Sequence, residues 1–186
     1  MGLRIISGSL RGKKLQAVRG RQVRPTADRL RESIFNILSS RVNEAIVLDL
    51  FAGTGAFGIE AISRGAEYAV FLDNSPGALA VIARNIEACA YNQLTKVIKW
   101  DISKNLNCIK SSSPPFNLVF IDPPYNRNII KPALRNLYRS NSLAKKACVV
   151  IEHAAAEPIP ANLEAFEIDH QRKYGKTLVS FLNYVV

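Results

Sequence analysis

The chain has 186 residues, of which 48% are hydrophobic and 22% are charged, enough for a globular domain with a substantial core. Its 25 basic and 15 acidic side chains leave a net charge of +10, which favours nucleic acid as a partner over an anionic membrane surface. No apolar run approaches the ~20 residues of a membrane span, and Cys89, Cys108 and Cys148 lack the spacing of a zinc site or a disulfide framework, which favours a reducing cytoplasm.

The first 24 residues carry seven cations and no acid, which is typical of a segment that contacts phosphates. The segments Arg4-Ile-Ile-Ser7 and Lys14-Leu-Gln-Ala-Val18 predict two strands around a glycine-containing turn, and therefore a basic N-terminal hairpin. The alternative is an ordinary solvated run of charge. The seven cations are Arg4, Arg11, Lys13, Lys14, Arg19, Arg21 and Arg24.

Residues 25–38 predict a helix, because Leu30, Ile34, Ile37 and Leu38 fall on one face at helical spacing. From residue 45 the pattern alternates between apolar strands and helices. The strands are expected at 46–50, 68–72, 96–100, 118–121 and 147–151. The helices are expected at 56–64, 76–90 and 129–138, with a weaker one after Asp101.

This alternation predicts an α/β fold with a doubly wound, mostly parallel seven-stranded sheet and right-handed crossovers. The tail breaks the pattern: strands over 166–170 and 178–185 flank a basic turn, Arg172–Lys176, and predict a C-terminal antiparallel hairpin. We expect a single domain over 1–186, in which residues 1–24 form a basic extension of a catalytic core over 25–186.

A glycine-rich turn follows the first strand of the core. Gly53, Gly55 and Gly58 fit the dinucleotide fingerprint, and Asp73 lies 18 residues beyond Gly55, so a nicotinamide-dependent oxidoreductase is one interpretation. Asp49 argues against it, since a carboxylate inside the strand suits a cationic or amine-bearing ligand better than a pyrophosphate.

Acids at three successive strand ends, Asp49, Asp73 and Asp101, match a nucleoside that carries an amino-acid tail. The amine, the ribose hydroxyls and the adenine amine each need an acceptor, which describes S-adenosylmethionine. For Asp101 a helix N-cap is an equally good explanation.

The strand over 118–121 leads into the loop Asp122-Pro-Pro-Tyr125. Asp122 and the carbonyl of Pro123 offer two acceptors for an exocyclic amino group, and Tyr125 offers a face on which a base can stack. Two such acceptors stabilise the positive charge that grows on an amine as it attacks a methyl group. The alternative is a Pro-Pro turn without a catalytic role.

Asp49-x-Phe-x-Gly-x-Gly55 together with Asp122-Pro-Pro-Tyr125 resembles the class I, Rossmann-like, S-adenosylmethionine-dependent amino-methyltransferases. Three flanking stretches resemble one branch, the bacterial small-subunit (16S) ribosomal RNA guanine-N2 methyltransferase family (RsmD-type). They are Arg4-Ile-Ile-Ser-Gly-x-x-Arg-Gly-x-x-Leu15, Arg24-Pro-Thr-x-Asp-Arg-x-Arg-Glu32 and Lys173-Tyr-Gly-Lys-Thr177.

The resemblance implies methyl transfer to the N2 amine of one guanine in 16S ribosomal RNA, free or in an assembling small subunit. It assigns Asp122, Pro123, Pro124 and Tyr125 to the target amine and base. The cofactor would be held by Asp49, Phe51, Gly53, Gly55, Asp73, Asn74, Asp101 and Ile102. We add an RNA-contacting set, inferred from charge, and expect a monomer without a metal or a membrane contact. That set is Arg4, Arg11, Lys13, Lys14, Arg24, Arg172, Lys173 and Lys176.

Three other functions stay open from the sequence. A DNA adenine or cytosine amino-methyltransferase would use the same acceptor loop, although such enzymes usually carry a recognition insertion for which this chain has no room. A nicotinamide oxidoreductase leaves the Asp122–Tyr125 loop unexplained. A non-catalytic RNA-binding module of the same fold is disfavoured by intact Asp122 and Tyr125.

Overall fold

Seven strands form one sheet in a computed structural model that describes residues 2–18, 25–160, 163 and 165–186. The strands are β1 Ile46–Leu50, β2 Tyr68–Asp73, β3 Thr95–Lys99, β4 Phe116–Ile121, β5 Leu143–Ala154, β6 Phe166–Tyr174 and β7 Thr177–Tyr184. Their order is β3-β2-β1-β4-β5-β7-β6. Strands β1 to β5 pair in parallel, and β7 pairs antiparallel with both β5 and β6. The predicted fold class is confirmed, including the C-terminal hairpin.

Helices cover both faces of this sheet. They are α1 Pro25–Leu38, α2 Ala56–Ser63, α3 Pro76–Ala88 and α4 Ile130–Arg139. One apolar core contains side chains of α1, α2 and α3 with Val47, and the other contains side chains of α4 with Leu48. Neighbouring residues of β1 thus face opposite layers, which explains why this strand is apolar throughout apart from Asp49.

The predicted elements differ from the observed ones mainly at their ends. The weak helix expected after Asp101 is only a 3₁₀ turn, Asn107–Ile109, although Ile102, Leu106 and Ile109 are all buried. Strand β5 extends well beyond the apolar run 147–151, since its backbone continues to pair with β7 as far as Ala154. No helix in the described part of the chain is long and apolar enough to cross a membrane.

The N-terminal arm, residues 2–18, forms a short version of the hairpin that the sequence predicts. Its two halves pair through the antiparallel bridge of Arg4 with Lys14 and through three backbone hydrogen bonds between residues 3–5 and 12–15. The turn between them also bonds to α2: Ser63 accepts from the backbone N–H groups of Ser9 at 2.7 Å and Leu10 at 3.0 Å. A Cβ on Gly8 would lie 1.7 Å from the Ser63 carbonyl oxygen, so only glycine permits this close approach.

Candidate active site

One cleft of about 570 Å³ opens at the carboxyl ends of the parallel strands, a volume that suits a nucleoside-sized ligand. Parallel strands present their carboxyl ends at one edge of the sheet, which is where open α/β sheets bind ligands. The cleft is lined by nine residues that the sequence singled out: Phe51, Asp73, Asn74, Asp101, Ile102, Asp122, Pro123, Pro124 and Tyr125. It is also lined by four that sequence reasoning missed, Ser75, Trp100, Ser103 and Ile129.

Asp49 lies beneath the glycine-rich turn, outside the cleft lining. Its side chain is 1% exposed, and its Oδ2 accepts a hydrogen bond from the backbone N–H of Gly58 at 3.0 Å. Burial raises the pKa of Asp49 to about 8, the charge of Asp73 adds to the rise, and the Gly58 N–H opposes it. Asp49 therefore connects the end of β1 to the first turn of α2 by a buried hydrogen bond beneath the glycine-rich turn.

The turn and the first turn of α2 depend on glycine at three places. Gly53 and Gly55 have φ of 59° and 75°, in the left-handed region. A Cβ on Gly58 would lie 2.3 Å from the Phe71 ring, so this glycine lets α2 pack closely on β2. The backbone of the turn can thus approach a ligand closely.

Asp73 closes β2 and connects the glycine-rich turn to α3. Its Oδ2 accepts from the backbone N–H of Gly53 at 2.9 Å, and its Oδ1 accepts from that of Ser75 at 2.8 Å. The Ser75 side chain in turn caps α3. The carboxylate is therefore oriented from both sides at the mouth of the cleft.

Asp101 follows β3, which pairs with β2 at the edge of the sheet. Its Oδ1 accepts from the Ser103 hydroxyl at 2.6 Å and from the Ser103 backbone N–H at 3.2 Å, and these bonds lower the pKa of Asp101 together with the charge of Lys104. It caps a turn rather than an α-helix, and it lines the cleft. Beside it Trp100, the single tryptophan of the chain, donates from Nε1 to the Asn105 carbonyl at 2.9 Å.

The target loop, Asp122–Tyr125, leaves β4 at the same edge. The backbone N–H of Asp122 donates to the Leu50 carbonyl at 3.4 Å, and Pro123 is buried whereas Tyr125 is 37% exposed. The Tyr125 hydroxyl donates to Oε1 of Glu152 at 2.7 Å. Burial and the negative charge of Glu152 raise the pKa of Tyr125, so the ring stays a neutral phenol.

The turn after the target loop is held by Glu157, whose two oxygens accept from the backbone N–H groups of Asn126 and Asn128. Sequence reasoning missed both Glu152 and Glu157, since no motif contains them. For Glu152 a signal was available: it directly follows the predicted strand 147–151, and the parallel pairing of Ile121 with Ile151 brings it level with the loop.

The predicted RNA-contacting cations separate into two groups, and the first lies at the β6–β7 turn. The strand register pairs Thr177 with Ala154, the last residue of β5, so this turn lies at the edge of the cleft. The Thr177 hydroxyl is 3.3 Å from the Tyr125 hydroxyl. The predicted basic turn is wrong in detail, because Arg172 and Lys173 belong to β6 and only Lys176 lies in the turn. All three are exposed.

The arm holds the second group, and its tip lies away from the cleft. The turn that carries Arg11 is anchored at Ser63, the last residue of α2, about 12 Å along that helix from the glycine-rich turn. Arg11, Lys13 and Lys14 are exposed, and Arg4 lies 3.9 Å from Asp28. Arg24 falls outside the described residues. Among the described residues no cluster of His, Cys, Asp or Glu could hold a metal ion.

Comparison with known proteins gives consistent matches over nearly the whole chain. A family model described as Conserved hypothetical protein 95 matches residues 3–183. Ribosomal RNA small subunit methyltransferase D of Escherichia coli K12 is 32% identical over 174 residues, which are 94% of this chain and 86% of that protein. The protein of the same name from Haemophilus influenzae is 33% identical and covers 84% of this chain and 81% of its own length.

Solved structures agree. The protein yhhF from Escherichia coli superposes with a TM-score of 0.86 at 29% identity, covering 98% of both chains. The Thermus thermophilus protein TTHA0928 superposes with a TM-score of 0.79 at 26% identity, covering 99% of both.

Proposed function

The chain belongs to the ribosomal RNA small subunit methyltransferase D family, and we propose that it transfers a methyl group from S-adenosylmethionine to the exocyclic N2 amine of a guanine in 16S ribosomal RNA. The observation that supports methyl transfer to an exocyclic amine is the shared cleft: the acceptor pair of Asp122 and Pro123 lies beside the strand-end acids Asp73 and Asp101. A methyl donor and an amine bound in these two halves would meet.

The cleft fits S-adenosylmethionine in size and in chemistry. Asp73 would accept from the ribose hydroxyls, and Asp101 would accept from the adenine amine. The cleft is further lined by Phe51, Asn74 and Ile102. The backbone of the glycine-rich turn, at Gly53 and Gly55, would contact the methionine part of the cofactor. When bound, this cofactor supplies an electrophilic methyl group on a sulfonium.

The target loop would orient the amine and stabilise its charge. The Asp122 carboxylate and the Pro123 carbonyl accept its two hydrogens, while Pro124 keeps the loop stiff because proline fixes φ. As the N–C bond forms, the C–S electron pair passes to sulfur and positive charge grows on nitrogen, where these two acceptors stabilise it. The amine then releases one proton to water.

RNA would reach the cleft with its target base unstacked and laid against Tyr125. Arg172, Lys173 and Lys176 would hold phosphates next to that base, and the cations of the arm would hold more distant ones. We further propose that residues 1–186 act as one monomeric domain in the cytoplasm, on 16S RNA or on assembling small subunits.

The test is methyl transfer from labelled S-adenosylmethionine to 16S RNA and to assembling subunits that lack the native modification. Nucleoside digestion and mass spectrometry should identify N2-methylguanosine at one position. Label in adenine or cytosine, or only in DNA, would overturn the guanine assignment. Asp122→Ala should abolish transfer and still bind S-adenosylhomocysteine, as reported by Trp100 fluorescence. Full transfer by that variant would refute the role of the target loop.

A further inference from the structure

Two glutamates of the C-terminal strands hold the target loop from the side opposite the glycine-rich turn. Glu152 lies in β5 and accepts from the Tyr125 hydroxyl at 2.7 Å. Glu157 lies just beyond β5, and its carboxylate accepts at 2.7 Å from the backbone N–H of Asn126 and at 2.8 Å from that of Asn128. Neither glutamate lines the cleft, so each acts on it through the loop.

The contact of Glu157 compensates for an unfavourable backbone conformation. Asn126 and Asn128 have φ of 57° and 54°, in the left-handed region, which asparagine tolerates better than most residues but still at some cost. Two charge-assisted hydrogen bonds to one carboxylate offset that cost. The path from Tyr125 into α4 therefore depends on both oxygens of Glu157.

Glu157 is itself fixed by buried groups of the antiparallel strands. Nδ1 of His153, which is fully buried, donates to the Glu157 carbonyl at 2.9 Å. Nε2 of the same histidine lies 2.8 Å from the hydroxyl of Ser180 in β7. That hydroxyl also accepts a hydrogen bond, at 2.7 Å, from the side-chain amide of Gln171 in β6. The support of the loop thus extends across three neighbouring strands.

We propose that Glu152 and Glu157 are positioning residues for the target base: Glu157 fixes the backbone of the loop, and Glu152 fixes the plane of the Tyr125 ring. This inference rests on the proposed function, in which the base stacks on that ring. In-line attack on a methyl group tolerates little error, since a misplacement of about 1 Å can cost roughly a hundredfold in rate.

The same substitution at the two sites should have different effects. A glutamine side chain has one oxygen, so in Glu157→Gln its amide N–H group faces one of the two backbone N–H groups of the loop. We expect this change to lower kcat by about tenfold to a hundredfold at saturating cofactor and RNA. Glu152 accepts only one bond from Tyr125, so Glu152→Ala should lower kcat by about tenfold and Glu152→Gln should restore most of that loss. In a Tyr125→Phe background, Glu152→Ala should have no further effect.

Binding of S-adenosylhomocysteine, read from Trp100 fluorescence, separates positioning from general damage to the fold. It should be unchanged in every variant, and the exposed β6 residue Glu167 supplies a matched control, Glu167→Gln, with unchanged kcat. A Glu157→Gln variant within about twofold of the parent in kcat, or one that loses ligand binding in parallel, would overturn the proposal.

Hydrogen exchange tests the same contact without any activity. The amides of Asn126 and Asn128 should exchange faster in Glu157→Gln, and unchanged exchange would refute the contact whatever the substrate is. An unaltered enzyme that methylates no RNA would instead refute the proposed function. The two failures are therefore distinguishable.

Discussion

The carboxylate of Asp49 accepts a hydrogen bond from the backbone N–H of Gly58 at 3.0 Å, and through it a buried acid at the end of β1 holds the first turn of α2. Since this carboxylate is 1% exposed, ionising it without a cation nearby is unfavourable, and its pKa rises to about 8. The protein therefore meets a ligand with Asp49 largely protonated at neutral pH.

Asp49 should make stability depend on pH. The unfolded chain releases this proton near pH 4 whereas the folded chain keeps it to about 8, so the contribution to stability is full below pH 4 and is lost as pH rises through 8. The free energy of unfolding should fall by up to about 1.4 kcal/mol per pH unit between these values. Urea unfolding at several pH values measures it. In Asp49→Asn this dependence of the unfolding free energy on pH should disappear. If the unfolding free energy fell equally steeply with pH in both proteins, Asp49 would not be its cause.

Gly58→Ala should destabilise the protein by about 1–3 kcal/mol, because the new Cβ would lie 2.3 Å from the Phe71 ring between α2 and β2. Gly77→Ala is the matched control. Its Cβ would meet only the Ser75 hydroxyl oxygen at 3.8 Å within α3, so the change should be within about 1 kcal/mol and in the stabilising direction. Denaturant unfolding compares the two. A similar loss in both would show that close packing is not what Gly58 provides.

Glu60 should anchor the N-terminal arm. Its carboxylate, fully buried, accepts from the backbone N–H groups of Ile6 at 2.7 Å and Ser7 at 3.0 Å, and from Nε of Arg64 at 2.7 Å. Its Oε2 also lies 3.7 Å from Nε of buried Arg31, and that Nε has no hydrogen-bond partner among the described groups. Arg31 keeps a second ion pair, from Nη2 to Asp28 at 3.1 Å. Glu60→Gln should therefore cost about 1–3 kcal/mol, because an amide N–H replaces one of the oxygens that accept from the arm and from Arg64.

Chemical denaturation would measure this loss, and hydrogen exchange at Ile6 and Ser7 would show whether the arm is released. The exposed pair of Lys104 with Asp101 provides the comparison, because Lys104→Ala should change stability by less than about 0.5 kcal/mol. Unchanged protection at Ile6 and Ser7 in Glu60→Gln would mean that the arm is held by its other contacts.

The shared cleft was predictable from sequence, and its outer support only in part. Asp73, Asp101 and Asp122 each close a parallel strand, and parallel strands end at one edge, so their convergence follows from the order of elements. Glu152 reaches the loop in the same way, because the parallel pairing of β4 with β5 sets Ile121 opposite Ile151. Glu157 lies in a turn beyond β5, where no local spacing indicates that its carboxylate bonds to the loop.

The N-terminal arm shows what a local pattern can and cannot predict. The residues around Arg4 and Lys14 predict a hairpin, and its two halves do pair through one bridge and three backbone hydrogen bonds. The amides of Ile6 and Leu10 bond instead to Glu60 and Ser63 of α2, more than 50 residues away in the chain. Only the tertiary fold brings these acceptors to the arm.

Asp73→Asn should weaken the binding of S-adenosylhomocysteine by about tenfold to a hundredfold, as expected for hydrogen bonds between hydroxyls and a charged acceptor. Trp100 lines the same cleft and is the single tryptophan, so titration of its fluorescence reports the affinity directly. Asp169→Asn, on the exposed side of β6, is the matched control and should bind as the parent does. Equal affinities in all three proteins would remove Asp73 from the cofactor site.

The two groups of cations should differ in which RNA they affect. Lys176 lies in the turn next to Thr177 and Tyr125, so removing Arg172, Lys173 and Lys176 should weaken binding of even a short stem-loop that contains the target guanine. Each lost phosphate contact should reduce the slope of log affinity against log salt by about one. Arg11 and Lys13 lie beyond the far end of α2, and their removal should weaken binding of long 16S fragments alone. Salt-dependent binding to both RNAs measures this, and equal losses on the stem-loop would place the arm next to the target base after all.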